Sequence, residues 1–248
     1  MQTDCEYARS MTRHTPLIVG HRGSPRSERE NTVAAFAAAR AEGADGVELD
    51  VHLTVDGELV VYHDAEIEGF GVLAAHPSTE IRSAFPWLPT LAEVLDECAG
   101  LLVNIEIKNS PPDADFDPDE GAAAAVVALL AARDHRDDVI VSSFHLPSIE
   151  RVHALDGSIP TGYLAVLRPP PLEALAAAVA GGHTAIHPFF GVLADEGATT
   201  VVEAAHAAGI AVNTWTVNDP DEIVRLAAAG VDAIITDSPT EARKALGL

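Results

Sequence analysis

Short apolar, β-prone runs alternate with helical segments along this whole chain, and few architectures accept that order. Strands are predicted to begin near residues 17, 46, 101, 139, 160, 184, 210 and 232. Helical patterns are predicted at 31–43, 90–99, 119–134, 147–155, 171–181, 198–208, 219–229 and 239–246. Caps support several helix starts: Asn31-Thr32, Asp219-Pro220 and Ser238-Pro239. Eight β/α units in 248 residues predict an α/β fold, a (β/α)8 TIM barrel in preference to a doubly wound sheet. The reading is one barrel domain over 16–248 after a polar tail, 1–15, that has no apolar signal core. One connection is long: 64–89 holds Gly69, Gly71, Pro77, Pro86 and Pro89. It is predicted to be an irregular insertion near the mouth, either a partial lid or a linker.

The stretch from Val47 to Asp64 is predicted to be a hairpin turning at Asp56-Gly57. With those two as the central turn residues, Val55 faces Glu58, Leu53 faces Val60 and Asp50 faces His63. Glu48, two residues from Asp50, shares that face. A bulged turn shifts the register by one. Two carboxylates beside an imidazole suit a hard divalent cation with a proton carrier next to it. A solvated strand face is the bland alternative.

Two other strands end in polar residues. Leu17-Ile18-Val19-Gly20 runs into His21-Arg22-Gly23. Leu101–Lys108 places Asn104, Glu106 and Lys108 on one face, against Val103, Ile105 and Ile107 on the other. Polar groups at the C-terminal ends of apolar strands are where a barrel builds its active site. A buried Glu106–Lys108 ion pair and a hydrogen-bonded strand-end His21 are the structural alternatives.

Composition narrows the partners. Thirty-eight acidic and 15 basic residues leave a net charge of −23, which repels nucleic acid and anionic membranes. An anionic small substrate is still accepted if a metal ion and a few basic side chains reverse the local field. Cys5 and Cys98, far apart, suggest neither a disulfide framework nor a thiolate site. No run approaches the roughly twenty apolar residues of a membrane span. A cytoplasmic location and no membrane insertion are the expectations.

Ten fragments, in order over about 17–240, together resemble a known family. They are His21-Arg22-Gly23, Glu30-Asn31-Thr32, Gly43–Val51, Asp56-Gly57, His63-Asp64, Pro89-Thr90-Leu91, Asn104–Lys108, Ser142-Ser143-Phe144, Trp215–Asn218 and Gly230–Asp237. The family is that of the glycerophosphodiester phosphodiesterases. The resemblance implies a TIM barrel that hydrolyses glycerophosphodiesters to an alcohol and sn-glycerol 3-phosphate. It implies Glu48, Asp50 and Glu106 as ligands of one divalent cation, Mg or Ca, and His21 and His63 as the acid/base pair. Arg22 and Lys108 match phosphate-facing residues, and Phe144 and Trp215 match apolar walls near the glycerol. Arg29 stands where the family usually has Pro, and Ala65–Gly71 replaces an Arg-Thr-Thr-like stretch, so head-group preference is where this chain departs most.

Two alternatives remain at this point: a phospholipase-type phosphodiesterase on a lipid, and a non-catalytic barrel that binds glycerophosphodiesters. The other nine histidines, 14, 52, 76, 135, 145, 153, 183, 187 and 206, read as surface, helix or packing residues, with His187 at a strand end the one to inspect.

Overall fold

The structure, a computed structural model, describes residues 15–133, 138–194 and 196–248. The expected tail with Cys5 and His14, save Thr15, lies outside the described residues, as does His135. In chain order the elements are β1 (Leu17–Gly20), α1 (Val33–Ala41), β2 (Gly46–Leu53), β3 (Leu59–Val61), β4 (Glu66–Ile67), β5 (Gly71–Val72), α2 (Ser78–Ala84) and α3 (Leu91–Glu97). Then follow β6 (Leu102–Ile107), α4 (Gly121–Ala132), β7 (Val139–Ser143), α5 (Leu146–Leu155), β8 (Thr161–Ala165), α6 (Pro171–Gly181) and β9 (Ala185–Pro188). The chain ends with α7 (Glu196–Ala207), β10 (Ala211–Thr214), α8 (Pro220–Ala229), β11 (Ala233–Thr236) and α9 (Pro239–Ala245). A nine-stranded sheet, parallel except for β3, closes where β1 pairs with both β11 and β2. This is the expected (β/α)8 barrel.

The strand pattern explains the closure. Residues at 47, 49 and 51 of β2 and 103, 105 and 107 of β6 point outward and pack under the helices. The alternate positions fill the barrel. Leu17, Val19, Leu102, Ile140, Ala185, Ala211, Ala233 and Ile235 make its apolar plug. Towards the C-terminal ends the inward positions turn polar: Glu48, Asp50, Asn104, Glu106, Ser142, His187 and Asn213 are all buried. Helix α1 starts at Thr32, whose hydroxyl accepts from Ala35 N, and α8 at Asp219, whose carboxylate accepts from Asp221 and Glu222. Helix α4 starts two residues later than the pattern suggested. Glu120 there takes a left-handed conformation (φ 58°) and buries its carboxylate against Asn109 and Ser148.

Two expectations about the hairpin region are corrected. The pairing is Leu53–Leu59, His52–Val60 and Val51–Val61, one residue off the two-residue turn. Gly57 (φ 82°) ends a three-residue loop, Val55–Gly57, which Thr54 closes by hydrogen bonds to Gly57 and Glu58. Asp50 O therefore receives Tyr62 N, and His63 lies one residue beyond. The segment 64–89 is also not irregular throughout. It forms the β4–β5 hairpin and α2 over a small core of Val60, Ile67, Leu73, Ile81 and Leu88. Phe70, Phe85, Trp87 and Tyr62 pack against that core. Arg29 lies over the Trp87 ring, 3.5 Å from its centroid.

Candidate active site

Strand β2 sets the centre of the site. Val47, Leu49 and Val51 anchor its outer face, so Glu48 and Asp50 must point into the barrel. On the neighbouring β6, in register Asp50–Glu106, Glu106 does the same. Carboxylate oxygens of Glu48, Asp50 and Glu106 all lie within 4.8 Å of one another, and all three side chains are buried.

Burial and mutual repulsion make this an expensive arrangement for three anions. Burial foremost, then the charge of Asp50, pushes Glu48 up to about 8. Burial and Asp50 also raise Glu106. Asp50 goes the other way: burial raises it, but Lys108, Arg22 and His63, with a hydrogen bond from Asn31, more than offset that. Lys108 Nζ is 2.9 Å from Glu106 and 3.5 Å from Asp50. Arg22 Nε is 3.3 Å from Asp50 Oδ2, near enough to pair charge but off-line for a hydrogen bond. With all three ionised, the carboxylates outnumber the two cations by one charge, a net −1. This all-oxygen, under-neutralised cluster fits a hard divalent cation, which would turn the site to +1.

The turn after β1 carries the next groups. Arg22 and Gly23 both have positive φ (53° and 89°). A Cβ on Gly23 would meet the Ala35 backbone at 2.6 Å, so the turn requires glycine there. This folding aims Arg22 N at Glu48 Oε2, 3.0 Å away. The Arg22 guanidinium also reaches Glu30. His21 donates from Nδ1 to Asp237 Oδ1 at 2.7 Å, which leaves Nε2 4.0 Å from Glu48. Burial alone would lower the His21 pKa; the Asp237 hydrogen bond and the Glu48 charge outweigh it and raise it. Asn218 holds the other Asp237 oxygen at 2.6 Å. On the opposite side His63 Nδ1 meets Asp64 at 2.6 Å.

Phe144 and Trp215 stack edge to face at 5.5 Å, and Trp215 donates to His187 O. Phe189 joins them, 5.5 Å from Trp215. Of the nine residues singled out from the sequence, His21, Arg22, Lys108, Phe144 and Trp215 come within two residues after the ends of β1, β6, β7 and β10, Glu106 is next to last in β6, Glu48 and Asp50 point inward from within β2, and His63 follows β3. Burial pushes the His187 ring down to about 3, and Asn213 is its side-chain partner.

Four residues that matter to this geometry were not singled out. Asp237 stood in a motif with no role given. Asn31, read as a helix cap, instead donates to Asp50 Oδ2 at 2.8 Å from a left-handed backbone (φ 55°), while Thr32 does the capping. Phe189 follows a Pro at a strand end and carries no polar signal. His52, read as packing, is buried with both ring nitrogens engaged. Its alternation with Glu48 and Asp50 was the available signal.

The chain as a whole resembles known proteins. Residues 21–241 match the model of the glycerophosphoryl diester phosphodiesterase family. A glycerophosphodiester phosphodiesterase of Caldanaerobacter subterraneus subsp. tengcongensis is 32% identical over 90% of this chain and 94% of that protein. The crystal structure of the glycerophosphodiester phosphodiesterase of Thermotoga maritima superposes with a TM-score of 0.79 at 27% identity, over 92% of this chain and 97% of that one. A phosphodiesterase of Oleispira antarctica in complex with the product sn-glycerol-3-phosphate gives 0.81 at 26% identity, over 97% and 99%. Among the described residues no helix is long and apolar enough to cross a membrane. With the family model spanning the barrel and relatives matched nearly end to end, this chain belongs to the glycerophosphoryl diester phosphodiesterase family.

Proposed function

We propose that this chain works in the cytoplasm, hydrolysing dissolved glycerophosphodiesters to an alcohol and sn-glycerol 3-phosphate. His21 and His63 are its acid/base pair, and Glu48, Asp50 and Glu106 hold one divalent cation, Mg or Ca. The observation that carries the reading is the buried carboxylate trio with histidines beside it, each bonded through Nδ1 to an aspartate. The bound cation supplies charge neutralisation to the phosphate oxygens.

The side chains do the rest. Arg22 and Lys108 attract the phosphodiester anion and hold its non-bridging oxygens. One neutral imidazole takes the proton of the attacking hydroxyl. The other, protonated, gives a proton to the leaving alkoxide as the phosphorus–oxygen bond to the alcohol breaks. Each Nδ1 bonds to a carboxylate, Asp237 for His21 and Asp64 for His63, which leaves each Nε2 as the working atom. The glycerol 2-hydroxyl as nucleophile gains from proximity and gives a five-membered cyclic phosphate, which water opens with the histidine roles exchanged. Phe144, Trp215 and Phe189 form an apolar wall for the glycerol carbons.

The test is a panel of glycerophosphodiesters, with and without Mg or Ca, scoring released glycerol 3-phosphate. Release that a chelator abolishes is the expected result. Binding of glycerol 3-phosphate without turnover would instead make this a binding barrel. A 2-deoxy analogue cleaved as fast as the natural diester would replace the 2-hydroxyl by water.

A further inference from the structure

His63 reaches the site from an unsupported stretch of chain. The β2–β3 ladder ends at Val51–Val61, with one further bond from Tyr62 N to Asp50 O. Beyond Tyr62 the strand bends away. The His63 ring is 35% exposed, and its partner Asp64 is 64% exposed. An exposed pair of this kind restrains a side chain only weakly.

The firm attachment is to the His63 main chain. His52 Nε2 donates to the His63 carbonyl oxygen at 3.2 Å. His52 Nδ1 meets Asp115 Oδ2 at 2.5 Å. Both side chains are almost wholly buried, 1% and 4% exposed. Asp115 Oδ1 is buried with no partner among the described residues, so His52 is what holds this carboxylate in place. Burying a carboxylate on a single partner is costly, and a loop does not need it to close. Asp115 belongs to the 108–120 connection, which starts at Lys108 directly after β6, the strand that carries Glu106. The brace thus ties the His63 bend to the two strands that bear the three carboxylates.

We propose that His52, backed by Asp115, is a positioning residue for His63. It sets the position of the imidazole relative to Glu48, Asp50 and Glu106 and does not touch substrate. The inference rests on the reading of His63 as a proton-transfer group. Misplacing a catalytic group by about 1 Å can cost about 10²-fold in rate.

The decisive measurement is a double-mutant cycle in kcat on a glycerophosphodiester at saturating cation. His52→Leu should lower kcat by about tenfold to 10²-fold with KM within about threefold of wild type. His52→Gln keeps a donor towards the His63 carbonyl and should fall between the two. In a His63→Ala background, His52→Leu should have no further effect on kcat. Equal losses from His52→Leu in both backgrounds would overturn the brace and leave the acid/base reading intact. Full activity in His63→Ala would overturn the acid/base reading itself. Where His63→Ala falls below detection, the kcat order of wild type, Gln and Leu decides. Gln and Leu variants that lose thermal stability alike with unchanged kcat would make His52 a packing residue only.

Discussion

Replacing Glu48 by Gln should make the cation-free protein more stable while destroying its cation site. The carboxyl ordinarily ionises at 4.5 and here is pushed up to about 8, by burial first and by Asp50 second. Between those values the unfolded chain has lost this proton and the folded chain keeps it, so stability falls as pH rises from about 4.5 to about 8. At pH 7 about 2.5 units of that gap are in force, and at 1.36 kcal/mol each they amount to roughly 3 kcal/mol. Relaxation of the surroundings trims this to about 2–3 kcal/mol, or roughly 5–10 °C in Tm for a chain of this size. Gln keeps the shape and can still accept from Arg22 N, so no cavity or lost hydrogen bond opposes the gain. The assay is thermal unfolding in excess chelator from pH 4.5 to 8. The variant should match wild type near pH 4.5 and lead increasingly above it. Added Mg or Ca should then raise the Tm of wild type alone, because only a bound ion stabilises by mass action. A variant that melts at or below wild type at pH 7 in chelator would refute the claim that burial and the Asp50 charge penalise the ionised Glu48 carboxylate.

Three further outcomes follow from the geometry. His21→Ala and His63→Ala should each lower kcat by about 10²–10⁴-fold with little change in Tm; losses below about tenfold at both positions would remove the pair from the mechanism. Asp237→Asn removes the charge and one of the two acceptor oxygens that serve His21 and Asn218, so the raised His21 pKa should drop and one limb of the kcat/KM profile should move to lower pH. Movement of the acid limb makes His21 the base, movement of the alkaline limb makes it the acid, and no movement denies it either role. Burial holds His187 at about 3 against an ordinary 6.5, so the unfolded chain takes its proton first and stability falls as pH drops from about 6.5 towards 3. His187→Gln should lessen the stability lost between pH 7 and 5 by about 2 kcal/mol in urea titrations; an unchanged pH dependence would show that His187 does not contribute.

Local patterns determined the architecture of this protein. Period-two runs such as Val47–Val51 and Val103–Ile107 separate outward apolar from inward polar positions without any knowledge of partners. Eight such runs divided by helices leave a closed barrel as the solution that buries both faces. For the same reason Glu48, Asp50 and Glu106 were legible: carboxylates at inward positions of buried strands have few structural uses. The tertiary structure decided what no spacing encodes. Whether the hairpin loop has two residues or three turned on the left-handed Gly57, and that one residue moved His63 off the ladder. His52 looks like any strand histidine until the 108–120 connection folds Asp115 onto it from 63 positions away. Asp237 reaches His21 across 216 positions, and only because β11 closes the barrel against β1. Sequence constrains a side chain through its neighbours along the strand, but its hydrogen-bond partners come from elements that meet it only when the barrel shuts.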